Sequence, residues 1–274
     1  MTHQTIQSEI RLNGVGIHSG KAVSCCLKPA TVSDGLSFYR TDTGCVVHVS
    51  PQNIGLTAVR ATRLSDKGTH ISTPEHILAG LNLCGVTCCR IEVDAEECPI
   101  LDGSALPIVQ AILKVGIRPL PSAPEPVLVQ CEHRLTHNEA SLIIAPYDGF
   151  KIRYESHYPN SFLGRQSASW ELGITDGLRE IAPARTYGFT HEIEALQKNG
   201  LGLGGSIENV LVIDDNKYLN PARFDNECPR HKVLDVLGDF MILGRPIKGE
   251  IIANASGHQL NLDMVRYLAD TYPV

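Results

Sequence analysis

The sequence predicts an α+β fold built from two related domains. Each half of the chain presents the same order of elements: strands, a helix, another strand and a final helix. The first helix of each half opens on a histidine, His76 or His231, and each final helix follows a glycine-containing turn. Such an ordered repeat indicates an internal duplication, although few residues are identical between the halves.

Bulk composition describes an ordinary globular protein and excludes several functional classes. The 274 residues are 43% apolar and 20% charged, and a net charge of −6 without lysine or arginine runs argues against a nucleic-acid binder. No apolar stretch is long enough to span a bilayer, and the N-terminus lacks a secretory signal, so we expect a cytosolic protein. The nine cysteines include no Cys-x-x-Cys pair and are expected to be reduced packing residues.

The first half is predicted to open with strands. Residues 23–27 and 36–39 are β-prone runs bounded by glycine-containing segments. The glycines within residues 14–20 do not have the spacing of a dinucleotide-binding fingerprint. They therefore predict a tight bend between strands.

The first predicted helix begins after Ile71 and ends near Gly85. Ser72 or Thr73 is a candidate cap, and Pro74 suits the first turn. Ser72 and Glu75 also match a capping box, so one interpretation gives Glu75 a purely structural role. A strand, a glycine turn and a second helix are then predicted at residues 88–93, 100–104 and 106–115.

A change in composition separates the two halves. Residues 118–126 contain four prolines in nine positions, which is typical of a stiff, extended linker. The predicted domains are therefore residues 1–120 and residues 121–274.

The second half repeats the pattern of strands followed by helices. Strands are predicted at 127–131, 141–145, 151–156 and 209–213, and a helix at 191–198. Residues 200–205 match Gly-x-Gly-x-x-Gly, but a helix precedes them and a strand follows, the reverse of the nucleotide-binding order. We reject a dinucleotide site there and keep open a flexible backbone that lines a site.

The central helix of the second half, at residues 228–239, carries the strongest chemical pattern. His231, Asp235 and Asp239 fall at i, i+4 and i+8, so one imidazole and two carboxylates share a face. Two of them can reach one cation, and histidine with carboxylate suits zinc. The alternative is a solvated stripe on an amphipathic helix. A strand at 249–253, a turn at 256–258 and a last helix follow.

The duplication brings further residues into a hypothetical zinc site. His76 matches the position of His231, so the two histidines and Asp235 are candidates for three ligands that leave a fourth position open. Glu75 is then placed to take a proton from a bound water, and His258 to donate one to a leaving amine. Asp239 is the candidate to orient His258, and Thr186 to donate to an oxyanion. The remaining histidines are interpreted as surface or packing residues: His3, His18, His48, His70, His133, His137, His157 and His191.

Several short motifs occur together, each weakly specific alone. They are Gly-Val-Gly-Ile-His-Ser-Gly-Lys at 14–21, Thr-Pro-Glu-His at 73–76, Ile-Leu-Asp-Gly-Ser-Ala at 100–105, Ala-Arg-Thr-Tyr-Gly-Phe at 184–189, Leu-Gly-Gly-Ser at 203–206, Arg-His-Lys at 230–232 with Asp235 and Gly-Asp at 238–239, and Ser-Gly-His at 256–258 with Asn261. In this order they resemble the UDP-3-O-acyl-N-acetylglucosamine deacetylases of lipid A synthesis. The resemblance covers essentially the whole chain.

The resemblance implies a layered sandwich with helices between two outer sheets and the active site at the domain interface. It implies one zinc ion held by His76, His231 and Asp235. For catalysis it implies Glu75 as base, His258 with Asp239 as acid, and Thr186 at the oxyanion. For substrate binding it implies the following residues: Lys232 at the diphosphate or sugar, Phe162 and Phe189 at the nucleotide or acyl portion, and Gly205 in the glycine run.

The resemblance leads to two further expectations about the substrate. Tyr187 stands where many family members carry phenylalanine, which adds a hydroxyl near the sugar. Residues 174–182 or 196–203 are candidate walls of an apolar groove for an acyl chain.

The resemblance implies a zinc-dependent hydrolase that removes acetate from UDP-3-O-(3-hydroxyacyl)-N-acetylglucosamine, an early committed step of lipid A synthesis. We expect a monomer that acts in the bacterial cytosol on a small-molecule substrate. Two alternatives stay open. One is a zinc amidase of another acylated or nucleotide sugar, and the other is a non-catalytic zinc-binding protein with two domains.

Overall fold

The computed structural model describes residues 2–56, 60–159 and 161–273. The first half contains strands β1 (Gln4–Ile6), β2 (Ile10–Val15), β3 (Ala22–Pro29), β4 (Leu36–Arg40), β5 (Cys45–His48), β6 (Arg63–Asp66) and β7 (Thr69–Ser72), helix α1 (Glu75–Leu83), strand β8 (Cys89–Val93), helix α2 (Leu106–Val115) and strand β9 (Ile117–Pro119).

The second half repeats the main elements of this order and adds two helices of its own. It contains strands β10 (Val127–Leu128), β11 (His133–His137), β12 (Ala140–Ala145), β13 (Phe150–Tyr158) and β14 (Gly164–Glu171), helix α3 (Gly177–Glu180), strand β15 (Tyr187–Phe189), helix α4 (Thr190–Lys198), strand β16 (Leu211–Ile213), helix α5 (Glu227–Phe240), strand β17 (Ile247–Asn254) and helix α6 (His258–Thr271).

The two main sheets have matching topologies. One follows the order β2-β3-β8-β4-β5 and the other β11-β12-β17-β13-β14, with β10 added beside β17. In each sheet the strand after the central helix pairs in parallel with one neighbour, β8 with β4 and β17 with β13. The other neighbours along the two paths are antiparallel. The predicted duplication of an α+β unit is therefore confirmed.

The helices pack between the sheets around one continuous apolar core. Helix α1 contacts α5, α5 contacts β13 and β14, and α6 contacts β11 and β12. The core includes Phe38 of the first sheet, Ile77 of α1, Leu234 of α5 and Ile251 of the second sheet. Burial of this much apolar surface is the main stabilising term of such a layered fold.

A close helix crossing joins the two halves at Gly238 of α5. A Cβ atom on Gly238 would lie 2.1 Å from the carbonyl oxygen of Glu75, so a larger residue would push α1 and α5 apart. The contact places the first turn of α1, with Glu75 and His76, against the middle of α5. The position of this turn of α1 beside α5 depends on this contact.

The start of α1 differs from the predicted start. Pro74, not Ser72 or Thr73, occupies the cap position, and no side chain caps the helix. Ser72 belongs to β7, and its N–H donates to the carbonyl of Glu96. The capping-box interpretation of Glu75 is therefore wrong, because Glu75 itself begins the helix.

Two inserted units occupy equivalent places in the duplicated order, each between the outer strands and the central helix. The first is the antiparallel pair β6–β7, and the second is the parallel pair β15–β16 with α4 between its strands. The glycine run that follows α4 packs against the β2–β3 bend. Gly204 N–H donates to the Ile17 carbonyl at 3.0 Å, and a Cβ on Gly204 would lie 2.2 Å from the oxygen of Gly16.

The proline-rich segment begins inside the first half. Strand β9 pairs with β1, whereas β10 pairs with β17 of the second sheet. The domain division after residue 120 stays a prediction. All nine cysteines are free thiols, and only Cys45 and Cys131 are exposed. Within the described residues, no helix combines the length and apolar character needed to cross a membrane.

Candidate active site

The site lies at the base of a cavity of about 800 Å³ at the junction of the two halves. The starts of α1 and α6 and the first turns of α5 contribute its polar residues. The β2–β3 bend and the unit formed by β15, α4 and β16 contribute most of its walls. Both copies of the duplicated unit therefore contribute to one site.

Three buried side chains form a group that can hold a metal ion. Candidate ligand atoms of His76, His231 and Asp235 all lie within 4.8 Å of one another. The three residues are at most 5% exposed. The interpretation of His231 and Asp235 as a solvated stripe is therefore wrong.

The donor atoms of this group are arranged for a cation. His231 Nδ1 donates to the Ala184 carbonyl at 3.1 Å, which leaves Nε2 as the acceptor nitrogen, 3.3 Å from Asp235 Oδ1. His76 Nδ1 and Asp235 Oδ1 are buried without a hydrogen-bond partner in the described part of the chain. Because buried polar atoms are normally satisfied, the residues fit a bound metal ion. The group has three members, so a fourth coordination position stays open.

Electrostatics keeps the three candidate ligands in the protonation states that a metal would require. Burial, with the nearby His231, lowers the pKa of His76 to about 3. Burial also lowers the pKa of His231. For Asp235 burial opposes ionisation, but His231 and Lys232 outweigh it and hold the pKa well below its usual range. At neutral pH the group therefore consists of two neutral imidazoles and one carboxylate.

Lys232 neutralises the ligand group. Its Nζ donates to Asp235 Oδ2 at 2.8 Å and lies 5.6 Å from the centre of the Tyr187 ring. Burial disfavours the charge of Lys232, but Asp235 outweighs this effect and raises the lysine pKa. Asp235 therefore uses one oxygen for Lys232 and leaves the other for a metal.

Glu75 lies beside the metal group as a buried carboxyl. It is 2% exposed, and its Oε2 has no hydrogen-bond partner among the described residues. Burial raises the pKa of Glu75 to about 8, and Asp239 and Asp235 add to the effect. A bound cation would favour the carboxylate and lower this pKa. Glu75 is thus suited to accept a proton near neutral pH once a metal is present.

His258 and Asp239 form a second buried pair. His258 Nδ1 donates to Asp239 Oδ2 at 2.9 Å, and Nε2 lies 3.7 Å from Glu75 Oε1. Asp239 also accepts hydrogen bonds from Thr62 at 2.6 Å and Asn261 at 2.8 Å. Burial disfavours the imidazolium, but Asp239 and Glu75 raise the pKa of His258 to about 10. His258 therefore carries a proton at neutral pH and can donate it from Nε2.

The family model for UDP-3-O-acyl N-acetylglycosamine deacetylases matches residues 3–270. The chain belongs to this family. It is therefore an enzyme, a deacetylase.

Individual relatives agree with this assignment. A UDP-3-O-acyl-N-acetylglucosamine deacetylase of Leptospira biflexa is 37% identical over 266 residues, which are 96% of this chain and 88% of the relative. A protein of the same name from Thermodesulfovibrio yellowstonii is 38% identical over 275 residues, which cover 98% of this chain and 92% of the relative. A third protein of this name, from Campylobacter hominis, is 36% identical over 263 residues, which cover 95% of this chain and 89% of the relative.

The structure of this deacetylase brings most of the predicted substrate residues to the same cavity. The cavity is lined by Thr186, Tyr187, Phe189, Gly205 and Lys232, together with the metal group, Glu75 and His258. Asp239 is fully buried behind His258. The Tyr187 hydroxyl forms a hydrogen bond with the Tyr158 hydroxyl at 2.8 Å.

Phe162 is the predicted residue that the structure does not bring to this cavity. Its side chain is 46% exposed and packs edge-on against Tyr218, with ring centres 5.0 Å apart. The backbone N–H of Phe162 donates to the carbonyl of Asp215 at 3.1 Å, just after β16. A role for Phe162 in substrate binding stays a prediction.

One of the two candidate walls lines the cavity. Ile193 and Leu196 of α4 lie on it together with Ile207 and Val210, whereas residues 174–182 do not contribute. Within 196–203 the cavity is lined by Leu196, Gln197 and Gly202, and the role of this region as the wall of an acyl-chain groove stays a prediction.

Sequence reasoning gave no role to several cavity residues, among them His18 and Arg60. The sequence places His18 among the surface and packing histidines, but in the structure it lines the cavity, and burial lowers its pKa. Arg60 lies just before β6, and its guanidinium forms an ion pair with the carboxylate of Glu192 in α4 at 2.5 Å. The motif at residues 14–21 contained His18 but gave no role to its side chain.

Proposed function

We propose that this deacetylase uses one zinc ion, held by His76, His231 and Asp235, to release acetate from UDP-3-O-(3-hydroxyacyl)-N-acetylglucosamine. The observation that carries the proposal is the buried group of three ligands beside Glu75 and the His258–Asp239 pair. Two histidines and one carboxylate with an open fourth position are typical of catalytic zinc. The reaction would serve lipid A synthesis in the bacterial cytosol.

The residues around the metal group supply the proton transfers. When bound, zinc provides Lewis-acid polarisation and lowers the pKa of a coordinated water. Glu75 accepts the proton of the attacking water as its oxygen bonds to the acetyl carbon. His258 donates its Nε2 proton to the sugar nitrogen as the carbon–nitrogen bond breaks. Thr186, which lines the cavity, donates its hydroxyl to the oxyanion formed between these steps. The products are acetate and the free amine.

The cavity supports a sugar that carries an acyl chain. Ile193, Leu196 and Val210 offer an apolar wall, as an acyl chain requires. Lys232 lies against the metal ligand Asp235, which favours contact with the sugar over the more distant diphosphate. Phe189 and the Gly205 backbone border the same space. We further propose a monomeric enzyme, because one chain supplies every residue of the site.

Chelation tests the requirement for zinc directly. We expect acetate release from the acylated UDP-sugar to stop after chelation and to return when zinc is added back. Release that persists in fully metal-free protein would contradict the proposal. The same UDP-sugar without its O-acyl chain serves as the substrate control, and equal turnover of both would favour an amidase of another nucleotide sugar.

Replacing Asp239 with asparagine should move the alkaline limb of the pH–rate profile to lower pH. Burial disfavours the imidazolium of His258, but Asp239, the largest opposing cause, together with Glu75 and Asp235 raises the pKa to about 10. His258 acts in its protonated form, so a lower pKa removes the active form at a lower pH. We also expect a rate loss of about 10-fold or more at neutral pH. Thr62→Val is the control, because it removes one hydrogen bond to Asp239 but keeps its charge. An unshifted alkaline limb in Asp239→Asn would exclude His258 as the acid.

A further inference from the structure

We propose that Glu227 is a positioning residue for the metal ligand His231, acting through the peptide group between Ala184 and Arg185. The inference rests on the proposed metal site. Glu227 is the first residue of α5 and is fully buried, so it contacts neither the cavity nor a substrate. Its effect on the site has to pass through another group.

One peptide group connects Glu227 to His231. Its carbonyl, on Ala184, accepts the hydrogen bond from His231 Nδ1 at 3.1 Å. Its N–H, on Arg185, donates to Glu227 Oε1 at 3.0 Å. Glu227 and His231 are four residues apart on α5 and share one face. The peptide group is therefore held at both ends by side chains of a single helix.

The Glu227 carboxylate is held in place by three further donors. Arg185 donates from Nε to Oε1 at 2.9 Å and from Nη2 to Oε2 at 3.2 Å. The backbone N–H of Arg223 donates to Oε2 at 2.6 Å. A buried carboxylate with four donors has little freedom to move, since each displacement would leave a charged group unsatisfied.

This arrangement acts on the metal ligand in two ways. It fixes the direction of the Ala184 carbonyl, and the carbonyl fixes both the tautomer and the ring orientation of His231. A carboxylate that accepts from the N–H of a peptide group also polarises that group, which makes its carbonyl a stronger acceptor. Thr186 follows immediately and donates its N–H to the Gly103 carbonyl at 2.7 Å, so the same segment holds the proposed oxyanion donor.

A pair of double variants separates this role from a purely stabilising ion pair. Arg185→Met with Glu227→Gln and Arg185→Met with Glu227→Leu both remove the two buried charges. Only the glutamine variant keeps an acceptor for the N–H of residue 185. We expect zinc affinity, measured by competition with a chromogenic chelator, to be about 10- to 100-fold weaker in the leucine variant than in the glutamine variant. Equal affinities would overturn the inference.

A second measurement decides the question if the leucine variant does not fold. Exchange of the His231 Nδ1 proton with solvent, followed by NMR in zinc-loaded protein, should be faster in Glu227→Ala, which has no acceptor for the N–H of Arg185, than in Glu227→Gln, which keeps one. Glu180→Gln is the control and should exchange as wild type does, because Glu180 pairs with Arg230 of the same helix and does not touch the peptide group. Equal exchange in Glu227→Ala and Glu227→Gln would overturn the inference.

Failure of the metal site itself gives a different result. If the wild-type protein takes up no zinc, or if His231→Ala takes up as much as wild type, the proposed metal site is wrong. If wild type binds zinc, His231→Ala does not, and the two double variants bind equally, the metal site stands and the role of Glu227 is wrong.

Discussion

Replacing Glu75 with glutamine is expected to lower turnover by about 10²-fold or more and to leave zinc bound. The amide keeps the size of the side chain but cannot accept the proton of the attacking water. Glu75 is not one of the three proposed ligands, so zinc content should match that of wild type. Steady-state rates of acetate release and metal analysis of the same preparation provide the measurement.

The stability of this variant distinguishes catalysis from a structural role. Burial disfavours the charged form of Glu75 and raises its pKa to about 8. A neutral amide at the same place avoids that cost, so Glu75→Gln should be at least as resistant to thermal unfolding as the metal-free wild type. A variant that melts earlier yet keeps the wild-type rate would assign Glu75 to the fold and remove it from the mechanism.

Much of the candidate metal site could be predicted from the sequence, because helix geometry brings its residues together. His231 and Asp235 are one turn apart on a helix, and that spacing alone places them on one face. His76 was added from the matching order of elements in the two halves, which the sheets reproduce strand by strand. Local periodicity and duplication are both visible in a single sequence.

The groups that orient these residues could not be predicted, because they arise from packing between distant segments. Thr62, whose hydroxyl donates to Asp239, is 177 residues away from it in the sequence. Ala184, whose carbonyl accepts from His231, is 47 residues away from that histidine. No periodic pattern marks either contact. For Phe162 the family resemblance suggests a role near the substrate. In the structure its ring instead packs against Tyr218.

The protonation states of the histidines in the site could not be predicted from the sequence either. His76 and His258 are both buried histidines, yet their pKa values move in opposite directions, to about 3 and about 10. The difference comes from neighbours, because Asp239 and Glu75 face His258, whereas His231 adds to the effect of burial at His76. The structure therefore separates a neutral imidazole from a protonated one where the sequence shows two similar residues.

Replacing Asp235 with alanine is expected to abolish tight zinc binding and turnover together. Asp235 is the single carboxylate of the three-ligand group, and two neutral imidazoles alone would bind a dication weakly. Isothermal titration with zinc and acetate release should both fall below detection. Thermal unfolding offers an independent readout, since added zinc should raise the midpoint of wild type and leave that of the variant unchanged.

Loss of stability has to be separated from loss of the ligand in this variant. Asp235 also neutralises Lys232, which lies 2.8 Å away, and an unpaired buried ammonium destabilises a fold strongly. Asp235→Ala with Lys232→Met removes both charges and should recover much of the stability while zinc binding stays lost. Zinc binding restored in the double variant would mean that Asp235 acts only as the partner of Lys232, and the metal would then need a different third ligand.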